Sequence, residues 1–146
     1  MGFDHFDFVS PVNHSGGIAV LWNNGNIYAS VLLKETRAIY MLIHDPNKVQ
    51  NFVISGMYAP MQHRDKNDFW NYLVELNNVI NLPWCLIGDF NEILCPNEKL
   101  GGQPPATIRF HRLNNFLSAI NAECVQALGR QFIWKKGFAP TLFMKD

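Results

Sequence analysis

Apolar residues along this chain come first in short runs and later at helical spacing. Gly17 to Trp22 (G-I-A-V-L-W), Ile27 to Leu33 (I-Y-A-S-V-L-L), Ala38 to Ile43 (A-I-Y-M-L-I) and Asn51 to Tyr58 (N-F-V-I-S-G-M-Y) are continuous or alternating runs that predict strands. Between them lie N-N-G-N, K-E-T-R and D-P-N-K, whose residues favour turns, and Asp45-Pro46-Asn47 predicts a hairpin connection. From Asp65 the period changes. Phe69, Leu73, Leu76 and Ile80 share one helical face, with Asp65 or Asn67 as the expected N-cap and Pro83 as the stop. Trp84 to Ile87 predicts the next strand. A loop rich in Pro and Gly follows over 95–105, and a second helix is expected from Thr107 with Phe110, Leu113, Leu117 and Ile120 inside. Cys124 to Leu128 and Gln131 to Trp134 predict two closing strands around Gly129-Arg130.

Strands first, then helix, strand, helix and strands, imply an α+β or layered α/β domain rather than a doubly wound parallel sheet. A run such as I-A-V-L-W needs cover on both faces, which two stacked sheets with helices outside would supply. The 146 residues are enough for one domain spanning 1–146. With 48% hydrophobic residues, disorder is not expected. Twelve basic residues balance twelve acidic ones, so bulk charge does not mark a nucleic-acid binder. Cys85, Cys95 and Cys124 form no C-x-x-C pair, which argues against a zinc site or a disulfide framework, and Cys85 is expected in the core. The opening M-G-F-D-H-F-D-F lacks a basic leader, Phe6 stands where myristoylation wants Ser or Thr, and no apolar stretch reaches membrane-spanning length. These features predict a soluble intracellular protein, nuclear or cytoplasmic, without a membrane partner.

The chemistry gathers at I-G-D-F-N-E-I, Ile87 to Ile93. In an extended chain Asp89 and Asn91 point the same way while Phe90 points to the other face. A carboxylate there accepts a proton from water or supports a divalent cation, and the carboxamide hydrogen-bonds a phosphate oxygen or an attacking water. Gly88 permits close backbone approach. The alternative is an Asx-turn after a buried strand.

Read together with the rest, the chain resembles a known superfamily. S-G-G-I-A-V-L-W (Ser15 to Trp22), G-M-Y-A-P (Gly56 to Pro60), I-G-D-F-N-E-I, N-E-K-L-G-G (Asn97 to Gly102) and G-R-Q-F-I-W (Gly129 to Trp134) occur in this order. They resemble the endonuclease/exonuclease/phosphatase superfamily, and within it the apurinic/apyrimidinic-type endonuclease domain of plant non-LTR (LINE-type) retrotransposons. The resemblance implies a four-layer α/β/β/α sandwich and Mg²⁺-dependent hydrolysis of a DNA phosphodiester. It implies that Asp89 orients or deprotonates the attacking water, that Asn91 holds the water and the scissile phosphate, and that Tyr58 places its hydroxyl on the phosphate. For Tyr58 the alternative is a cross-strand core aromatic with its hydroxyl at the surface.

The departures carry equal weight. Family members begin with strands delivering an Asn and the metal-binding Glu, and end with an Asp and a Ser-Asp-His block. None of these is in this sequence, and the usual F-T-W-x-N reads Phe132-Ile133-Trp134-Lys135-Lys136. The resemblance therefore implies a domain truncated at both ends, with exposed apolar edges, no defined metal ligand beyond an indirect Asp89, and little or no nuclease activity by itself. Two alternatives stand beside it: a non-catalytic module that binds nucleic acid or protein through the remaining groove, and a phosphoesterase of the same superfamily acting on a phosphomonoester or phospholipid.

Among other polar residues, strand parity turns Glu92 away from Asp89, as a solvated or capping residue. Glu98 and Lys99 are expected exposed in the loop, His14 on the surface, and Arg109, Arg112 and Arg130 on a solvated surface. His5, His44, His63 and His111 are too scattered for a metal pattern. Trp22 and Trp134 are expected in the core.

Overall fold

Every strand run within the described part of the chain folds as a strand, and one further strand precedes them. The computed structural model describes residues 2–13, 16–25, 27–48, 50–99 and 107–125, without the side chain of Arg109. The strands are β1 (His5–Val9), β2 (Ile18–Trp22), β3 (Tyr28–Glu35), β4 (Ala38–His44), β5 (Phe52–Tyr58) and β6 (Trp84–Asp89). Helix α1 spans His63–Asn77 and α2 spans Thr107–Ala119, with a 3₁₀ turn at Pro96–Glu98 between β6 and α2. The expected strand Cys124 to Leu128 falls largely outside the described residues, and Cys124 and Val125 themselves are not extended ladder. Gln131 to Trp134 lies outside them altogether.

Four strands form a mixed sheet in the order β3-β4-β5-β6. β3, β4 and β5 are antiparallel neighbours, whereas β5 and β6 run parallel with α1 as the crossover between them. Thr36 and Arg37 turn β3 into β4, because Glu35 pairs Ala38. Asp45 to Lys48 form the expected turn after β4, with Lys48 N donating to Asp45 O at 2.9 Å and Asn47 N to Asp45 Oδ1 at 2.8 Å. The register shifts between Val31 and Leu33, so Leu32 is an extra residue and both leucines emerge toward solvent.

The two faces of this sheet bury different partners. Ala38, Tyr40 and Met57 point toward the helices, where Trp70 and Leu73 of α1 and Leu113 and Phe116 of α2 close one core. Ile39, Met41 and Ile43 point the other way, under the two-stranded antiparallel sheet of β1 and β2, with Val9, Ile18, Val20 and Trp22 packed against them. The described elements thus make a mixed α+β structure of three layers: small sheet, large sheet and helices. An ion pair joins the sheets: Lys34 Nζ lies 2.7 Å from Asp7 Oδ1. That bond, with another from the Phe8 N–H, holds the Asp7 carboxyl below its ordinary value.

Strand β1 has no counterpart among the expected strands. Its two aromatic residues, Phe6 and Phe8, face outward, and Phe6 is 72% exposed; its inner face carries Asp7, Val9 and His5, the last stacking on Trp22. The expectation that Cys85 is core is also corrected. β6 alternates rather than being buried throughout: Trp84 and Leu86 pack toward the helices, whereas Cys85 is exposed and Ile87 is 61% exposed. The cause is position. Among the described elements β6 is an edge strand, and the small sheet covers β3, β4 and β5 but not β6. Helix α1 starts two residues before the expected Asp65 cap. Gln62 holds the N-cap without a side-chain bond, and Asp65 sits in the first turn, where a carboxylate favours the helix N-terminus. Helix α2 begins at Thr107 as expected. It ends with Asn121 at φ +51°, Ala122 N bonding Leu117 O and Asn121 N bonding Ser118 O, the paired closure of a left-handed C-terminus. None of the described helices is long and apolar enough to cross a membrane.

The β5 and β6 backbones approach closely at Gly88, whose φ is +141°. A Cβ added there would lie 1.9 Å from the Met57 carbonyl oxygen. Gly88→Ala is therefore expected to cost roughly 3 kcal/mol or more, measured by urea unfolding. Gly25→Ala, where an added Cβ meets nothing within 4 Å, should shift the midpoint little.

A second network ties α1 to β3 and β4. Tyr72 Oη donates to Glu35 Oε1 at 2.7 Å and Tyr40 Oη to Glu35 Oε2 at 3.1 Å. Burial, and then the Glu35 charge, push the Tyr40 hydroxyl far above its ordinary value. The hydrogen bond to Glu35, with some burial, pushes Tyr72 up to about 12. Unfolding would return Tyr72 to an ordinary value near 10, so above that pH the unfolded chain releases a proton the folded chain retains. The stability from Tyr72 is thus complete below about pH 10 and fades toward pH 12. Thermal melts across this range should show a steeper fall for the parent chain than for Tyr72→Phe.

Candidate functional site

Parallel pairing of β5 with β6 places Tyr58 opposite Asp89 at the ends of their strands. Partners in a parallel ladder project to the same face, here the face toward the small sheet. Tyr58 and Asp89 accordingly line one groove of about 430 Å³, with Gly17 to Val20 of the β2 segment on one side and Ile87 and Gly88 of β6 on the other. Met41 and Ile54 contribute to its lining, so the groove is largely apolar, with Tyr58 and Asp89 as the polar side chains among its described lining. Gly16, at φ +83°, packs beneath Tyr58: a Cβ there would lie 3.3 Å from Tyr58 Cδ1. The glycines before β2 and the M-Y-A-P segment therefore meet at this point.

Asn91 is placed differently. β6 ends at Asp89, so the two-residue alternation expected from sequence does not continue to Asn91, which takes a left-handed φ of +50°. Its Nδ2 donates to the Ala59 carbonyl at 2.7 Å, and its backbone N–H donates to Asp89 Oδ1 at 2.9 Å. The second contact is an Asx-turn, the alternative reading of G-D-F-N. Asn91 adjoins the groove at the end of β5 without lining it. Phe90 follows the expected parity, stacking on Trp70 with ring centres 6.0 Å apart and planes 17° apart. Gly88 does serve a close backbone approach, and the approaching group is the Met57 carbonyl.

Glu92 is the largest correction. In place of a solvated or capping residue, its side chain is fully buried at 0% exposure. Lys66 Nζ lies 3.1 Å from Glu92 Oε1, and Arg112 Nη1 donates to the same oxygen at 2.8 Å. The Lys66 side chain is 4% exposed and that of Arg112 10%, so Arg112 is not a solvated surface residue either. Arg112 Nη2 reaches His63 Nδ1 at 2.8 Å, and Lys66 Nζ also donates to the Asn91 carbonyl at 2.6 Å. The segment after β6 is thus pinned to both helices by one carboxylate. A signal existed in the sequence: Lys66 falls on the apolar stripe of α1, four residues before Trp70 and seven before Leu73. An isolated lysine on a core-facing stripe calls for a buried anion.

The remaining polar candidates are peripheral. Glu98 Oε2 accepts from Leu94 N at 2.8 Å, closing the 3₁₀ turn, and Lys99 is exposed as expected. His44 Nδ1 lies 2.7 Å from Asn51 Oδ1, and His5 stacks on Trp22. Trp22 packs against the core as expected, while Trp134, His14 and Arg130 lie outside the described residues. Among the described residues no three His, Cys, Asp or Glu side chains gather into a set able to hold a metal ion. Asp89 is the only carboxylate among the described residues that line the groove. Alone it does not make a Mg²⁺ site, which needs several oxygen ligands.

No protein-family model matches this sequence, and no curated protein is significantly similar to it.

The buried clamp can be tested directly. Removing one partner from a buried ion pair leaves the other charges uncompensated, so Glu92→Ala should destabilise the fold by about 3–5 kcal/mol in urea unfolding. Asp65→Ala, which removes the exposed Arg64–Asp65 pair, should cost under about 1 kcal/mol.

Proposed function

We propose that this chain carries part of the centre of a phosphodiester hydrolase of the endonuclease/exonuclease/phosphatase type, acting on DNA in the manner of plant LINE-type retrotransposon endonucleases. The four-layer sandwich belongs to the same proposal; three consecutive layers of described elements agree with it as far as they go. The observation that supports the proposal most is the Tyr58–Asp89 pairing, which sets a tyrosine and an aspartate on neighbouring strand ends lining one groove.

In such a centre Tyr58 donates its hydroxyl proton in a hydrogen bond to a non-bridging phosphate oxygen, and Asp89 accepts a hydrogen bond from the attacking water. Asn91 sets the carboxylate through its backbone N–H and fixes the turn through Ala59. Mg²⁺ enters only through the sequence resemblance. The described residues do not assemble a site for it, so no step runs through a metal, and Mg²⁺-dependent nicking by this chain alone is expected to be barely detectable.

Duplex binding tests the proposal without requiring turnover. A short fluorescent DNA duplex is titrated with the chain in EDTA. Tyr58→Phe should weaken binding about tenfold, the cost of a hydrogen bond to a charged group. Asp89→Asn should tighten binding, because it removes an anion beside the phosphates. Affinity unchanged by both substitutions would reject the hydrolase centre. It would favour a non-catalytic interaction module, which the engaged carboxamide of Asn91 and the apolar groove would suit.

A further inference from the structure

Hydrogen bonds with Asp89, Ala59 and Lys66 are among those that hold Asn91 in a left-handed conformation, which asparagine adopts more readily than other residues apart from glycine. The bonds to Asp89 Oδ1 and to Ala59 O lie within the strand ends that form the site. Another comes from outside: Lys66 Nζ, on α1, donates to the Asn91 carbonyl. Lys66 is buried, and a buried ammonium needs a counter-charge that the Asn91 carbonyl does not provide. Glu92, the next residue in the chain, provides it. Arg112 of α2 approaches the same oxygen of Glu92 but directs its Nη2 to His63 rather than to Asn91.

We infer that Glu92 and Lys66 are positioning residues for the candidate site. Glu92 anchors the Lys66 ammonium, and Lys66 holds the Asn91 backbone in its left-handed turn. That turn aims the Asn91 N–H at Asp89 and its carboxamide at Ala59. Arg112 acts elsewhere, binding α2 to the clamp and neutralising the carboxylate without setting Asn91. The division follows from which cation reaches the Asn91 carbonyl. The consequence for DNA rests on the function proposed above; the consequence for Asn91 does not.

The two cations supply the experiment. Lys66→Met and Arg112→Met each keep an unbranched side chain and leave Glu92 the other of these two cations. Both should lower the melting temperature. They should differ at Asn91, read by ¹⁵N-resolved hydrogen exchange of its backbone amide under conditions where the chain remains folded. Lys66→Met should reduce protection at Asn91 by about tenfold or more, whereas Arg112→Met should leave it nearly unchanged. Glu92→Gln retains the shape and an acceptor but not the charge; it should loosen Asn91 as Lys66→Met does, and it decides the matter if Lys66→Met does not fold. Equal loss of protection in the lysine and arginine variants, or no loss in either, overturns the inference. Duplex affinity, measured in parallel, separates the two levels. A loosened Asn91 supports the positioning role whatever the affinity does, whereas the phosphodiester centre is rejected separately, by affinity unchanged in both Tyr58→Phe and Asp89→Asn.

Discussion

Backbone contact between β5 and β6 at Gly88 is the constraint on which the site depends. Only a residue without Cβ allows the β6 backbone to pass so close to the Met57 carbonyl, and the same ladder delivers Asp89 alongside Tyr58. The pairing continues one residue further, where Ala59 N donates to the Asp89 carbonyl at 2.8 Å. The two chains then separate, β5 toward α1 and β6 into its turn. A side chain at position 88 would overlap the Met57 carbonyl, and Tyr58 and Asp89 are the next pair along that ladder.

Beyond the ladder, polar groups take over from main-chain pairing. The turn after β6 has no strand partner among the described residues, and its geometry comes from the Asx-turn, the Ala59 contact and the Lys66–Glu92–Arg112 clamp. Such a clamp gains little net energy over an apolar packing of the same volume, because desolvating three charges offsets most of their attraction. What it supplies is direction: a methylene contact could bury the turn, but it would not choose one rotation of the Asn91 peptide over another. Elsewhere the molecule leaves apolar surface open. Phe6, Phe8 and Leu21 cover the outer face of the small sheet, and Cys85 and Ile87 lie on the uncovered face of β6.

The parts of this fold governed by local periodicity are legible in the sequence. The runs around Ile18, Val31, Met41 and Ile54 alternate or are continuously apolar, and each lies where two sheets stack. Thr107 is identifiable as a helix start because Phe110, Leu113 and Leu117 repeat on one face. Pairwise events are not legible. Strand β1 eludes periodicity because its outward residues are aromatic and its inward ones include His5 and Asp7, whose partners Trp22 and Lys34 are distant in sequence. Extending strand parity past Asp89 sends Glu92 to solvent, but the strand has already ended and a left-handed Asn91 reverses the parity. The same extension places Asn91 beside Asp89 in the groove. Parity holds only while the backbone stays extended, and no short motif states where extension stops.

An Asx-turn and a hydrolytic carboxylate are rival explanations of an Asp at a strand end, yet the geometry here makes them compatible. The turn uses Oδ1 for one amide, and a carboxylate has acceptor capacity for about four hydrogen bonds across two oxygens. One backbone donor therefore orients Asp89 without saturating it. An inert turn and a working base would show the same 2.9 Å contact. What separates them is the neighbour: an inert turn has no need of a tyrosine at the paired position of the adjacent strand, packed on a left-handed glycine and lining the same groove. A centre that must hold a phosphate against a water does need one, because the donor and the acceptor have to be presented from one surface at a fixed spacing. Parallel strands in register set these two residues on neighbouring strand ends, and that pairing is what supports the role proposed for Asp89.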